Sequence, residues 1–266
     1  MKTIVIMKEL IVLIHLNLFK INLLFINKDK NMRFNISRFF YYPYTRTSLQ
    51  NCNFPMKLIQ PFQKSYNNLP YDEYIPDKTR QRRYANYLVQ NIKDNNNNNN
   101  NRFSIQHTNK NKFQQNVDDS RKDERTFQLI EEPYHPFLLN FITLASELTH
   151  TNNYPIEKLS VDVHQVRQVC YPELGSHNSA EGIHQDGADF IISACVLNRY
   201  NIRGGTSSIY DNNLNLIYDT LLRENEFIFQ DDKSLYHYVT PIQYSKIHSS
   251  EQIGHRDIIG LDINIL

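Results

Sequence analysis

LSVDVHQVRQVC (Leu159–Cys170) begins a series of short apolar or alternating runs that continues almost to the end of the chain. Glycines and the pairs Asn-Asn and Asp-Asp separate the later runs, which span Ala188–Leu197, Thr206–Asp211, Glu226–Gln230, Leu235–Ile242 and Ile258–Ile263. Several short strands at roughly regular spacing, with turn residues between them, are typical of a β-sandwich or a jelly roll. The second half of the sequence therefore predicts two packed β-sheets.

Upstream of these runs the patterns are less regular. The stretch PFLLNFITLASEL (Pro136–Leu148) has apolar residues at helical spacing, which predicts a helix packed on the core. The segment Tyr71–Gln90 interleaves arginines with tyrosines and predicts a polar–aromatic helix or an extended approach to one. Arginines and aromatics also occur together in single-stranded nucleic-acid binding. We favour a structural role, because nearby acidic residues are available for ion pairs.

Composition excludes several classes of function. The 266 residues include 29 Lys and Arg against 28 Asp and Glu, so a net charge of +1 gives no general attraction to nucleic acid or to a membrane. Three widely spaced cysteines do not make a disulfide framework or a zinc cluster and favour an intracellular compartment. Seven consecutive asparagines, Asn95–Asn101, predict a disordered insertion near residues 94–125. No pattern indicates an oligomeric state.

The N-terminal region predicts an extension rather than part of a fold. The apolar stretch Leu10–Ile26 approaches the length of a membrane span, but polar residues interrupt it, so no span is predicted. The stretch Lys30–Tyr71 has six basic residues and no acidic one, as in mitochondrial transit peptides, and an unstructured basic extension is the alternative. We expect residues 1–55 to be disordered or targeting, residues 56–266 to form one domain, and the protein to be cytoplasmic or mitochondrial.

The sequence EGIHQDG (Glu181–Gly187) carries the strongest chemical signal. In an extended strand, residues two apart point to the same face, so His184 and Asp186 would present an imidazole and a carboxylate together. His237, within a predicted strand 51 residues after Asp186, is a suitable third ligand. Two histidines and one carboxylate on one face of a metal form the facial triad of non-haem Fe(II) oxygenases. Competing histidines are His164, His177, His248 and His255.

A co-substrate such as 2-oxoglutarate would need an anchor for its distal carboxylate. A bidentate arginine suits that carboxylate better than a lysine does. Arg256 lies 19 residues after His237, at the start of the next predicted strand, and adjacent strands of a jelly roll would bring it into the same cavity. Arg256 is therefore the predicted anchor.

Several stretches together resemble one family. These are EGIHQDGADFIISACVLNRYNIRGG with SIYD, LYHYVTPI and RDIIGLDI, together with LPYDEYIPDKTRQRRYANY (Leu69–Tyr87) and VDVHQVRQV (Val161–Val169). They are similar to the 2-oxoglutarate- and iron(II)-dependent dioxygenases typified by bacterial L-isoleucine 4-hydroxylase. The resemblance covers about Met56 to Asp262. It implies a mainly β fold with flanking helices, namely a double-stranded β-helix (jelly roll, cupin-like).

The resemblance also implies a reaction and its residues. His184, Asp186 and His237 match the Fe(II) ligands and Arg256 matches the anchor of 2-oxoglutarate, while Fe(II), 2-oxoglutarate and O₂ are the implied cofactor and co-substrates. The expected activity is hydroxylation of a free L-amino acid or similar small molecule, with release of succinate and CO₂. Arg167, on the face shared by Gln165 and Val169, is a candidate for the substrate carboxylate or for a structural salt bridge. The alternatives are a protein or peptide hydroxylase, a non-catalytic metal-binding β-barrel, and a non-enzymatic interaction protein.

Overall fold

The structure, a computed structural model, describes residues 43–92, 102–115, 117, 123–151, 157–245 and 252–266. Its strands are β1 Tyr44–Ser48, β2 Arg80–Ile92, β3 Arg102–His107, β4 Lys112–Phe113, β5 Arg125–Thr126, β6 Lys158–Cys170, β7 Phe190–Tyr200, β8 Ile202–Gly204, β9 Thr206–Tyr210, β10 Leu216–Leu221, β11 Glu226–Asp231, β12 Tyr236–Val239, β13 Ile242–Tyr244 and β14 Gly254–Ile265. The α-helices are Ile59–Lys64 and His135–Thr151, and 3₁₀ turns span Met56–Leu58, Ser65–Asn68 and Glu132–Tyr134. The mainly β fold class predicted from the sequence is confirmed.

A large antiparallel sheet is the frame of the molecule. Its seven strands follow the order β1-β11-β7-β14-β6-β2-β3. A smaller sheet has the order β10-β9-β12, and β8 pairs with β13 beside it. The strands predicted in the second half of the sequence correspond to β6, β7, β9, β11, β12 with β13, and β14. Two sheets of this kind form the jelly roll.

Both faces of the large sheet are buried, and alternate residues of its central strands belong to different cores. On the outer face, Val161 of β6 and Leu261 of β14 share one core cluster with Leu138 of the long helix His135–Thr151. On the inner face, Val166 of β6 and its neighbours share another cluster with Ile209 of β9, in the smaller sheet. The helix predicted over Pro136–Leu148 is thus confirmed as the cover of the outer face.

The segment predicted as a polar–aromatic helix or an approach to one is largely a strand. From Arg80 onward it forms β2, which pairs with β6 from Arg80↔Gln168 to Gln90↔Lys158. Tyr84 and Tyr87 of this strand are buried. The long backbone ladder to β6 overrides the local pattern, because tertiary pairing decides the state of a segment with weak intrinsic preference.

The ordered domain begins before Met56, so the predicted boundary at residue 55 is wrong. Strand β1, Tyr44–Ser48, covers the edge of β11, and Leu49 and Phe54 after it are buried in the core. A five-residue polar strand gives no hydrophobic signal, but it pairs an edge that would otherwise be open. Leu10–Ile26 and residues 30–42 of the basic stretch interpreted as a transit peptide lie outside the described residues, whereas residues 43–71 of that stretch belong to the described part. Among the described helices, none has the length and apolar content needed to cross a membrane.

Order also extends into the predicted disordered insertion. The asparagine tract Asn95–Asn101 lies outside the described residues, but β3 directly after it pairs with β2. Strand β4 then pairs with β5, and Phe113 is buried. The polar sequence near residues 94–125 therefore contains ordered strands, of which β3 pairs with β2 upstream and β4 pairs with β5 at the end of the segment.

Candidate metal centre

The structure brings His184, Asp186 and His237 together. His184 lies in the loop before β7 and forms a single bridge with His237 of β12, through backbone hydrogen bonds of 3.0 and 2.8 Å. His184 Nε2 lies 3.5 Å from Asp186 Oδ1, and His237 Nε2 lies 3.5 Å from Asp186 Oδ2. The three ligand atoms all lie within 4.8 Å of one another. The predicted strand at His184 and Asp186 is instead a loop, and the bridge to β12 supplies the convergence.

The protonation of this group suits a divalent cation. His184 Nδ1 lies 2.9 Å from the carbonyl oxygen of Gly182 and donates to it, which leaves the lone pair of Nε2 directed at the site. Burial raises the pKa of Asp186, but the charges of His237 and His184 outweigh burial and hold that pKa well below its usual value. The carboxylate is therefore ionised. Two imidazoles and an ionised carboxylate match the donor set that binds non-haem Fe(II).

Gln115 supports the metal-binding carboxylate from outside. Its amide Nε2 donates to Asp186 Oδ1 at 3.0 Å, and its Oε1 accepts from Arg125 Nη2 at 3.0 Å. Partners of this kind orient a ligand and tune its basicity. The sequence contains no pattern that would have identified Gln115, since it lies in the predicted disordered insertion.

The three ligands line a cavity of about 540 Å³, a volume typical of small-molecule sites. Its walls carry charges of both signs. The basic lining residues are Arg80, Arg82 and Arg125, the acidic ones besides Asp186 are Glu181 and Asp262, and His164 and His177 also line it. This cavity can therefore hold a small ligand with both positive and negative groups.

A buried chain of polar groups forms one wall. Arg82 Nη2 lies 2.5 Å from His164 Nδ1, and His164 Nε2 lies 3.1 Å from Asp262 Oδ2. Burial and then the charge of Arg80 lower the pKa of Arg82 to about 9, and burial lowers the pKa of His164 well below its usual value. His164, a competing ligand in the sequence, is thus held by Arg82 and Asp262.

Arg256 is fully buried on the inner face of the large sheet. Its Nη1 donates to Gln168 Oε1 at 3.3 Å, whereas its Nε and Nη2 have no hydrogen-bond partner among the residues that the structure describes. Burial and then the charge of Arg199 lower the pKa of Arg256 to about 9. On β14 it lies two residues from Ile258, which lines the cavity, and that spacing is about 7 Å along a strand. An anion near this position would satisfy the buried guanidinium.

Arg167 lies on the other side of the large sheet. Its Nε and Nη2 donate to the carboxylate of Asp257 at 2.6 and 2.8 Å, and its guanidinium approaches the ring of Tyr66. His164 and Val166 of the same strand line the cavity. Because successive side chains of a strand point to opposite faces, Arg167 points to the outer face of the sheet. Of the two roles that the sequence left open for Arg167, these contacts favour the structural salt bridge.

The residues still to be placed are the other candidate histidines and the cavity arginines that the sequence analysis did not assign to a site. His255 stacks on Tyr200, His177 lines the cavity, and His248 is outside the described residues. The sequence interpretation assigned the arginines of Tyr71–Gln90 a structural role in ion pairs, and Arg80 does pair with Asp72 at 2.7 Å, but Arg80 and Arg82 also line the cavity. Their spacing of two, which places both on one face of a strand, is the signal that would have identified them.

Comparisons with known proteins agree with this geometry. A family model described as 2OG-Fe dioxygenase matches residues 63–262. Among solved structures, the chain is similar to IDO from Bacillus thuringiensis (20% identity, TM-score 0.64, 84% of this chain and 90% of that one). It is also similar to a bsmA homolog from Methylobium petroleophilum PM1 (15%, 0.69, 84% and 88%) and to the Fe(II)/(alpha)ketoglutarate-dependent dioxygenase TqaL (14%, 0.60, 84% and 83%). At these identities the likeness is one of fold. None of the curated proteins compared with the chain matches it.

Proposed function

Because the chain belongs to the 2OG-Fe dioxygenase family and is therefore an Fe(II)- and 2-oxoglutarate-dependent dioxygenase, we propose that it hydroxylates a free L-amino acid or a similar small molecule. The observation that carries this proposal is the cavity of about 540 Å³ that opens onto His184, Asp186 and His237 and has charges of both signs on its walls. The products are the hydroxylated substrate, succinate and CO₂.

We assign the metal to His184, Asp186 and His237, whose donor atoms and protonation fit Fe(II). When bound, Fe(II) and 2-oxoglutarate supply the oxidising chemistry, in which decarboxylation of 2-oxoglutarate drives transfer of an oxygen atom from O₂ to a C–H bond. The chain itself orients the ligands. The Gly182 carbonyl fixes the tautomer of His184, and Gln115 fixes the carboxylate of Asp186.

We assign the distal carboxylate of 2-oxoglutarate to Arg256. Its Nε and Nη2 are buried donors without a partner in the described part of the chain, and a carboxylate accepts two parallel hydrogen bonds from such a guanidinium edge. The strand β14 places it on the face that lines the cavity, beyond Ile258. A dicarboxylate can therefore extend from the metal ligands along the inner face of the sheet to this arginine.

The charges at the cavity support a zwitterionic substrate. An amino acid presents a carboxylate and an ammonium group close together. Arg82 and Arg125 offer guanidinium donors for the first, and Glu181 offers a carboxylate acceptor for the second. A cavity with only one sign of charge would favour a simple acid or a simple amine instead.

The proposal is tested by a substrate screen. The purified protein with Fe(II), ascorbate and 2-oxoglutarate is given a panel of free L-amino acids and, in parallel, the same residues within end-capped peptides, and succinate is measured. We expect substrate-dependent succinate with at least one free amino acid and none with its capped form. Turnover restricted to the peptides would overturn the assigned substrate class while leaving the chemistry intact.

A metal-ligand variant separates the site from the fold. His184→Ala should lose bound iron and all succinate formation. The matched control is His150→Ala, because His150 lies on the long helix, on the opposite side of the large sheet from the cavity. Iron content is measured together with thermal unfolding. Full iron binding by His184→Ala would contradict the assignment of the ligands.

A further inference from the structure

Three adjacent strands place polar side chains in one row on the inner face of the large sheet. Arg256 of β14 is the Cα partner of Gln168 on β6 and of Arg199 on β7. Along β7, strict alternation from the inward Val196 would turn Arg199 outward. A register shift changes this, since Ile258 pairs with Val196 whereas Asp257 pairs with Asn198. The extra residue is a β-bulge, and it turns Arg199 to the same face as Arg256.

The two guanidinium side chains come close together beside the turn between β8 and β9. Arg199 Nη1 and Arg256 Cδ lie 3.2 and 3.4 Å from the same point, the ideal position of a Cβ atom on Gly205. Arg199 Nη2 donates to the carbonyl oxygen of Gly204 at 2.6 Å, which holds the guanidinium in place. The geometry is therefore fixed by the chain and leaves the other edge of Arg199 available.

Buried donors without an acceptor gather in this row. They are Arg199 Nη1, Arg256 Nε, Arg256 Nη2 and Gln168 Nε2, none of which has a hydrogen-bond partner within the described part of the chain. Buried donors are normally satisfied, and leaving them unpaired is costly. A carboxylate has about four lone-pair sites on two oxygens, which matches the four donor atoms. The row has the composition of a carboxylate site rather than of a structural network.

The charges agree with this interpretation. Burial lowers the pKa of both arginines, and the charge of Arg199 lowers that of Arg256 further. The acidic residue closest in effect is Glu224, which raises the pKa of Arg199 and accepts a hydrogen bond from its backbone N–H at 3.4 Å. No ion pair joins either guanidinium to a carboxylate within 43–92, 102–115, 117, 123–151, 157–245 and 252–266. Two like charges in contact call for an anion between them.

We propose that Arg199 is a second anchor for the distal carboxylate of 2-oxoglutarate, acting with Arg256 in a two-arginine clamp. This inference rests on the proposed role of Arg256. It adds a residue that neither the sequence pattern nor the family resemblance had singled out, and it gives the β-bulge of β7 a function in positioning that residue.

The test measures binding without turnover. Full-length protein is loaded anaerobically with Fe(II), and dissociation constants are determined calorimetrically for 2-oxoglutarate and for 2-oxopentanoate. The second ligand has the same carbon chain and the same metal-binding end but lacks the distal carboxylate. Arg199→Gln should weaken 2-oxoglutarate binding roughly ten- to a hundredfold, as expected for a charged hydrogen bond, and leave 2-oxopentanoate within about twofold. Glu224→Gln, the matched control, should leave both ligands unchanged.

The outcomes separate this inference from the function on which it rests. If Arg256→Gln loses the preference for 2-oxoglutarate and Arg199→Gln keeps it, only the second anchor is wrong. If both variants keep the preference, the assigned carboxylate site fails as well. Equal weakening of both ligands by Arg199→Gln, or an effect of Glu224→Gln as large as that of Arg199→Gln, also overturns the clamp.

A merely structural role for Arg199 predicts a different result in the protein without ligand. Arg199→Gln removes one of two like charges but also the hydrogen bond to the Gly204 carbonyl, so the melting temperature of the ligand-free protein should change little, whereas a purely structural role predicts a clear decrease. Arg199→Lys keeps the charge without the second donor edge and should retain part of the selectivity, so it provides the test if Arg199→Gln does not fold. A lower melting temperature with unchanged selectivity would overturn the proposal.

Discussion

Replacing Gly204 by alanine should destabilise the protein far more than the same change at Gly182. Both glycines have positive φ, +82° and +89°, where a Cβ atom costs about 1–2 kcal/mol. At Gly182 no atom of the described residues lies within 4 Å of the added Cβ, so the expected effect is the backbone strain alone. At Gly204 the added Cβ would lie 2.1 Å from the carbonyl oxygen of Pro241. The Cβ is attached directly to the backbone and the oxygen is itself a backbone atom, so neither can move aside without shifting the main chain. Overpacking of this kind adds about 1–3 kcal/mol or more.

These magnitudes translate into distinct melting temperatures. For a domain of this size, 1 kcal/mol shifts the melting temperature by about 2–4 °C. Gly182→Ala should therefore lower the melting temperature by about 2–8 °C and Gly204→Ala by about 4–20 °C. The Gly204→Ala variant should have the lower melting temperature. Thermal unfolding is followed by circular dichroism in the presence of a chelator, so that metal binding does not contribute. Equal melting temperatures for the two variants would refute the reasoning, because the clash would then have no cost.

Three further outcomes are expected. Leu138→Ala should lower the free energy of unfolding in urea by about 2–5 kcal/mol, because Leu138 is fully buried. Leu139→Ala, at a neighbour that is 37% exposed, should lower it by less than about 1 kcal/mol. Similar losses for the two variants would contradict the packing of the long helix. Gln115→Ala should weaken iron binding about 10–100-fold in chelator competition, since the hydrogen bond to Asp186 is lost; an unchanged affinity would remove Gln115 from the site. A chain that begins at residue 56 lacks β1 and the buried side chains after it, so its melting temperature should lie well below that of a chain that begins at residue 43. Light scattering shows whether either chain aggregates. Equal melting temperatures would support the boundary predicted from the sequence.

The strands of the second half and the long helix could be predicted because their patterns are set by burial. Runs such as Ile258–Ile263 are apolar and bounded by turn residues, and Pro136–Leu148 has helical periodicity. The strand β1 could not be predicted in this way. It is short and polar and lies at a sheet edge, where pairing with β11 rather than hydrophobic burial holds it in place.

The grouping of His184, Asp186 and His237 could be predicted because their chemistry is local, but the faces of the strands could not. The sequence left two roles open for Arg167 for a physical reason: β6 is central in its sheet and buried on both faces, so nearly every residue from Leu159 to Cys170 is excluded from water. Such a strand has no alternation that tells the inner face from the outer one. The bulge that turns Arg199 inward is likewise invisible in the sequence, since it depends on the register with β14.

The partners of the arginines separate structural positions from ligand-binding ones. Arg80 has the carboxylate of Asp72 at 2.7 Å and Arg167 has that of Asp257, so their charges are neutralised by the chain itself. Arg256 and Arg199 have only neutral oxygen acceptors for their guanidinium groups among the described residues. A carboxylate supplied by the chain at that point would stabilise the protein, but it would also compete with a dicarboxylate ligand for the same donors. Under the proposed clamp, the unneutralised pair leaves its donors available to 2-oxoglutarate. Binding should then raise the free energy of unfolding with the logarithm of the 2-oxoglutarate concentration once that exceeds the dissociation constant.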